Sequence, residues 1–162
     1  MYPAVALVDP DLLETLPRHL VASTGLDALT HAIEAFTAKP ATAFTDALAL
    51  EALRLIFGSL PEAYRDIGKN STAREELMLG SVLAGMAFVN SDVGAVHCLA
   101  ETIGALYDTP HGVANAVLLP FVMEFNLAAA EAKYARIAAV VGSESKEQKA
   151  ATWLIHRIQA VS

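Results

Sequence analysis

The sequence predicts an all-α, multi-helix domain preceded by one short strand segment. Three observations carry this. Apolar residues recur at helical spacing along most of the chain. Capping residues and prolines punctuate it at helix-length intervals. A single β-prone run, Val5-Ala6-Leu7-Val8, ends at the turn signal Asp9-Pro10 and has no second run to pair with.

Residues 11–16 read as a short helical turn. Pro17 suits the first turn of a helix that runs to Thr37, with Ser23-Thr24-Gly25 as a place where it can be interrupted. Lys39-Pro40 is a stop, and residues 41–65 form the next helix, with Gly58 and Pro61 as possible bends. After a loop at 67–70, Ser71 caps a helix that carries Arg74-Glu75-Glu76 in its first turns and continues to about Asn90. Ser91-Asp92 cap a helix over 93–106, which breaks at Tyr107-Asp108-Thr109-Pro110. Thr109 is the expected N-cap of the following helix, with Pro110 at its first position and its end near Phe125. A further helix spans 128–141 and stops at Gly142; 143–148 is a solvated stretch, and 150–159 is the last helix.

Composition excludes several functions. The 162 residues fit one domain, and 54% hydrophobic against 18% charged residues excludes a disordered chain. The mean hydropathy of +0.42 leads us to expect apolar surface turned toward another chain or a missing domain. A net charge of −7 without a basic cluster argues against nucleic acid and against an anionic membrane surface. The single Cys98 excludes an internal disulfide and a Cys-rich zinc site, and a reducing cytoplasm is the expected compartment. The N-terminus has no basic segment followed by an apolar one. The uncharged stretch 77–91 has 15 residues, short of the roughly 20 a bilayer span requires.

Two pairs of side chains carry metal-ligand spacing. Asp27 and His31 are four residues apart, one turn apart on one helix face. Such a pair can bind a cation through one oxygen and one nitrogen, or make a hydrogen bond along the helix. His97 and His111 are 14 residues apart, about 21 Å on a straight helix. The break at 108–110 lets the helix bearing His111 turn back toward His97. Both stand among uncharged residues, where a buried imidazole needs a partner, either a metal or a backbone carbonyl. Together the four residues offer one oxygen and three nitrogens. This set suits Fe²⁺ or Zn²⁺, does not separate them, and is wrong for Ca²⁺ or Mg²⁺. Glu101, four after His97 on the same face, reads as an acid behind that ligand or as a helix-surface acid. Cys98 points about 100° away from His97 and reads as a small core residue. His19 and His156 have basic neighbours and read as surface residues. No two glycines are separated by one residue, so neither a Gly-x-Gly-x-x-Gly nucleotide loop nor a P-loop is present.

The segments Gly25-Leu26-Asp27-Ala28-Leu29-Thr30-His31-Ala32-Ile33-Glu34-Ala35, Val96-His97-Cys98-Leu99-Ala100-Glu101-Thr102-Ile103-Gly104-Ala105 and Thr109-Pro110-His111-Gly112-Val113-Ala114-Asn115-Ala116 resemble the iron-containing (group III) alcohol dehydrogenases. The resemblance runs from about Val5 to Gly142. It implies a Rossmann-like N-terminal domain that binds NAD(P), and a C-terminal helical domain in which Asp27, His31, His97 and His111 are the four metal ligands. In the similar maleylacetate reductases the position of Asp27 is typically not an acid, so Asp27 implies the metal-dependent branch. In several relatives a histidine stands at the position of Glu101.

Residues 1–10 resemble the segment leaving the nucleotide domain, and 11–162 the helical metal-binding domain, ending before the family's last helices. The resemblance implies oxidoreduction of a small alcohol or aldehyde with the metal as Lewis acid. Because the nucleotide domain has no counterpart here, we expect the chain to be inactive alone and not to bind NAD(P) tightly. The alternative is a non-catalytic helical oligomer with a vestigial metal site. Either way a homo-oligomer is expected, with Val5 to Val8 lying against another chain.

Overall fold

The computed structural model describes residues 4–144 and 147–161. After a 3₁₀ turn at Pro10–Leu13, six α-helices follow: α1 (Arg18–Thr37), α2 (Ala43–Asp66), α3 (Ser71–Val89), α4 (Ala95–Tyr107), α5 (His111–Val140) and α6 (Glu147–Gln159). The all-α expectation holds. No strand occurs among the described residues, which corrects the expected N-terminal strand: 5–8 is irregular and exposed, as a run without a partner strand must be.

α1 is the central helix and packs against α2, α3 and α5; α4 and α6 both lie on α5. Its residues explain the position. From Gly25 to Phe36 it buries Leu26, Ala28, Leu29, Ala32, Ile33, Ala35 and Phe36 around most of its circumference, the pattern of a helix enclosed by others. Ser23-Thr24-Gly25 does not interrupt it. The Thr24 hydroxyl donates to the Leu20 carbonyl at 2.6 Å, within the helix.

Helix starts differ from the sequence expectation where a neighbour supplies the cap. α2 opens on a capping box in which Thr42 and Thr45 each accept the other's backbone amide through a side chain. Asn70, not Ser71, caps α3 by accepting the Ala73 amide at 3.0 Å. α4 starts at Ala95, two residues later than Ser91-Asp92 would give, on a Gly94 N-cap with no side chain to offer. The break at 107–110 is present. Asp108 adopts the left-handed conformation (φ 54°) as the C-cap of α4, its amide donating to Gly104 O at 2.9 Å. Pro110 then stands just before His111, the first residue of α5.

α5 is one helix of 30 residues where two were expected. Asn126-Leu127 contains no breaker, and Leu119, Met123, Tyr134 and Ile137 form one continuous buried face across the junction. Among the described residues it is the one helix long and apolar enough to cross a bilayer. Here its buried face, including the polar Asn115, packs on α1, α4 and α6. Its outer edge presents Val113, Val117, Phe121 and Phe125 to solvent, spaced four residues apart, with Phe125 88% exposed. The expected solvated stretch 143–148 lies partly outside the described residues.

Candidate metal centre

Three helices bring the chemistry together. α1 supplies Asp27 and His31, α4 supplies His97 in its first turn, and α5 supplies His111 at its first residue. One donor atom each from Asp27, His97 and His111 lies within 4.8 Å of the other two. His111 Nε2 is 3.4 Å and His97 Nε2 3.7 Å from Asp27 Oδ1. A four-coordinate ion with bonds near 2.1 Å separates its ligand atoms by about 3.4 Å. The two long-range contacts therefore have ligand spacing rather than hydrogen-bond spacing.

His31 lies against this trio without its donor atom joining it. Its ring is 4.0 Å from that of His97 and stacks on Phe88 at 4.4 Å. Its Nδ1 is 3.0 Å from the Asp27 backbone carbonyl. Donation to that oxygen fixes the proton on Nδ1 and leaves the Nε2 lone pair free.

The fit of a divalent cation rests on two features. His97 is 3% exposed, and its Nε2 is buried without a hydrogen-bond partner. An orphan nitrogen beside a carboxylate and a second imidazole is costly unless something else engages it. The donor set, a hard oxygen with borderline nitrogens, suits iron or zinc. Exposure rises from His97 to His111, whose side chain is 45% exposed, so the cluster is closed below and open on the His111 side.

Two carboxylates, Asp27 and Glu34, dominate the electrostatics of the cluster. Burial works against ionised Asp27, but the His97 imidazole, the His31 ring and the Asn115 amide hold its carboxyl below the ordinary range. Burial, and then the charge of His97, push His31 down. Burial also opposes charge on His97, but Asp27 and Glu34 outweigh it and raise the imidazole to about 9.

Two polar residues in the cluster went unnoticed in the sequence. Glu34 is buried on α1, and its Oε2 accepts from His97 Nδ1 at 2.7 Å. Asn115, one turn after His111, is fully buried. Its Nδ2 donates to Asp27 Oδ1 at 2.5 Å and lies 3.0 Å from His111 Nε2. The signal for both was a polar residue inside an apolar helical run, Ala32-Ile33-Glu34-Ala35-Phe36 and Val113-Ala114-Asn115-Ala116-Val117. Glu101 is exposed, and the carboxylate on His97 is that of Glu34. Cys98, read as a core residue, is also exposed because the α4 face one step from His97 looks outward. His19 and His156 are exposed, as expected.

Comparison with known proteins identifies the family. The profile of the Fe-containing alcohol dehydrogenase family, C-terminal part, matches residues 21–161. The chain is 47% identical to 1,3-propanediol dehydrogenase of Citrobacter freundii over 163 aligned positions, covering 99% of this chain and 42% of that protein. It is 46% identical to lactaldehyde reductase of Escherichia coli (strain K12), covering 86% of this chain and 36% of that one. Among solved structures, a 1,3-propanediol oxidoreductase superposes with a TM-score of 0.91 at 47% identity, over 95% of this chain and 41% of the other. An alcohol dehydrogenase from Oenococcus oeni gives 0.90 at 36% identity, over 94% and 40%. The chain thus spans about two fifths of the length of these relatives. With its six helices and its convergent Asp27, His97 and His111, the chain belongs to the Fe-containing alcohol dehydrogenase family and matches the C-terminal portion of its members.

Proposed function

We propose that this chain is the metal-binding helical part of an NAD(P)-dependent oxidoreductase acting on a small alcohol or aldehyde. Asp27, His97 and His111 hold one divalent ion, and His31, whose ring lies 4.0 Å from that of His97, is the fourth ligand that the family resemblance implies. The observation that carries the reading is the buried His97 Nε2, unpartnered by hydrogen bonds and turned toward Asp27 and His111. The donor set alone fits iron or zinc; the family favours iron. When bound, the ion supplies Lewis acidity that lowers the pKa of an alcohol.

The chain's own residues do the rest. Asp27 brings the one negative charge that faces the donor nitrogens, held ionised by its imidazole neighbours. Asn115 fixes the rotamer of Asp27 through Oδ1 and contacts His111 from the same amide nitrogen. Phe88 packs on the His31 ring and shields it from water on that side. The half-exposed His111 leaves one side of the cluster open for a small polar substrate. Hydride acceptance belongs to a nicotinamide bound outside these helices, so we expect no dehydrogenase activity and no micromolar NAD⁺ or NADP⁺ binding by this chain alone.

Elemental analysis of protein purified without added metal tests the reading. We expect one iron per chain, lost in His97→Ala and largely lost in His111→Ala. Equal metal content in wild type and both variants overturns the assignment.

A further inference from the structure

Helix α4 has an unusual beginning. Its N-cap, Gly94, has no side chain, so nothing local accepts the orphan amides of the first turn. A carboxylate from α1 takes that place. Val96 N donates to Glu34 Oε1 at 2.8 Å, and His97 N lies 3.4 Å from Oε2. These are the second and third residues of the helix, the positions an N-cap side chain normally serves. The same Oε2 accepts from His97 Nδ1 at 2.7 Å. Gly94 makes the room for this. Its φ of −117° is open to any residue, but a Cβ there would lie 2.6 Å from Glu34 Oε1.

We propose that Glu34 is the positioning residue of the metal centre. It is an N-cap supplied from α1 that fixes the start of α4 and orients His97 with one carboxylate. The proposal rests on the reading of His97 as a metal ligand. Both oxygens of a carboxylate accept hydrogen bonds, so Glu34 serves the Val96 amide and His97 Nδ1–H at once. With the proton of the bound form held on Nδ1, Nε2 faces Asp27 and His111 as a lone pair. An amide has only one accepting oxygen. In Glu34→Gln, an oxygen kept on the Val96 amide turns an NH₂ toward Nδ1 and drives the imidazole to the other tautomer. An oxygen kept on Nδ1 sets NH₂ against the Val96 N–H. Glu34, Val96 and His97 are buried, so neither loss is made good by water.

The test uses the full chain and cobalt(II), whose visible absorption reports both affinity and ligand geometry. We expect Glu34→Gln to weaken cobalt binding about 10- to 100-fold and to alter the spectrum of the bound ion. A residue that only capped α4 would lower the melting temperature of the metal-free protein and leave the affinity and spectrum of the folded fraction unchanged. Wild-type affinity and spectrum in a folded Glu34→Gln therefore overturn the proposal. If that variant does not fold, Gly94→Ala presses on the same carboxylate without changing it. Weakened cobalt binding there supports the proposal, and unchanged binding overturns it. Failure of the underlying metal reading looks different: wild type binds no cobalt, or His97→Ala binds it equally well.

Discussion

One methyl group tests how the open side of the centre is seated. A Cβ on Gly112 would lie 2.3 Å from the backbone oxygen of Ser23, in the second turn of α1. A packed helix backbone cannot swing away as a side-chain tip can, so α5 must shift at its first turn. We expect Gly112→Ala to cost about 1–3 kcal/mol in denaturant unfolding and to weaken metal binding through the neighbouring His111. Tyr134 is a second sensitive residue. Burial, partly offset by its hydrogen bond to Asn126, pushes the phenol up to about 12 from an ordinary 10.0. The folded pKa lies above the unfolded one, so the native state favours the protonated phenol. That contribution is complete below pH 10, and it is lost as pH rises toward 12. Urea midpoints at stepped pH should fall across this window, and Tyr134→Phe should flatten the fall.

At the scale of the element, Arg74 shows which interactions hold the N-terminal turn. Its side chain is 8% exposed, and Nη1 donates to the carbonyls of Ile67 and Gly68, both at 2.9 Å. Its partner Asp11 is 75% exposed, so that ion pair is screened by water. Arg74→Ala should destabilise by about 2–4 kcal/mol, because two loop carbonyls lose a charged donor; Asp11→Ala should cost less than about 1 kcal/mol. Chemical denaturation of the two variants side by side separates these terms, and equal losses would contradict this division. Helix boundaries follow the same logic. Thr42 and Asn70 cap through side chains next to their own helices, so the caps of those helices are local in the sequence. The start of α4 cannot be read locally, because its acceptor is Glu34, 62 residues before Val96.

For the whole molecule, the candidate centre joins α1, α4 and α5, so the proposed ligation would be linked to stability. With metal at about 100 times its dissociation constant, stability should rise by about 2.7 kcal/mol. The melting temperature of the metal-loaded protein should rise accordingly, with no shift in His97→Ala. Besides Val5 to Val8, the exposed stripe Val113, Val117, Phe121 and Phe125 is apolar surface that the expected self-association would cover. Light scattering at micromolar concentration should give more than the monomer mass, reduced by Phe121→Ser combined with Phe125→Ser. A monomeric wild type would contradict that expectation.

The sequence alone determined what depends on short range. Helical spacing and punctuation determined the all-α class. The i,i+4 spacing placed Asp27 and His31 on one face of α1, and the break at 108–110 allowed His111 to return toward His97. Only the tertiary structure decided what depends on contacts between helices. It joined the two expected helices of α5 into one, because a continuous buried face outweighs a weak local signal. It placed Asp27, His97 and His111 within ligand distance and left His31 beside them. It left Glu101 at the surface, the second of its two readings, put Glu34 on His97, and set Asn115 against Asp27. A carboxylate 63 residues from the imidazole it orients leaves no periodicity in the chain, since only the crossing of α1 and α4, made close by the bare Cα of Gly94, brings the two together.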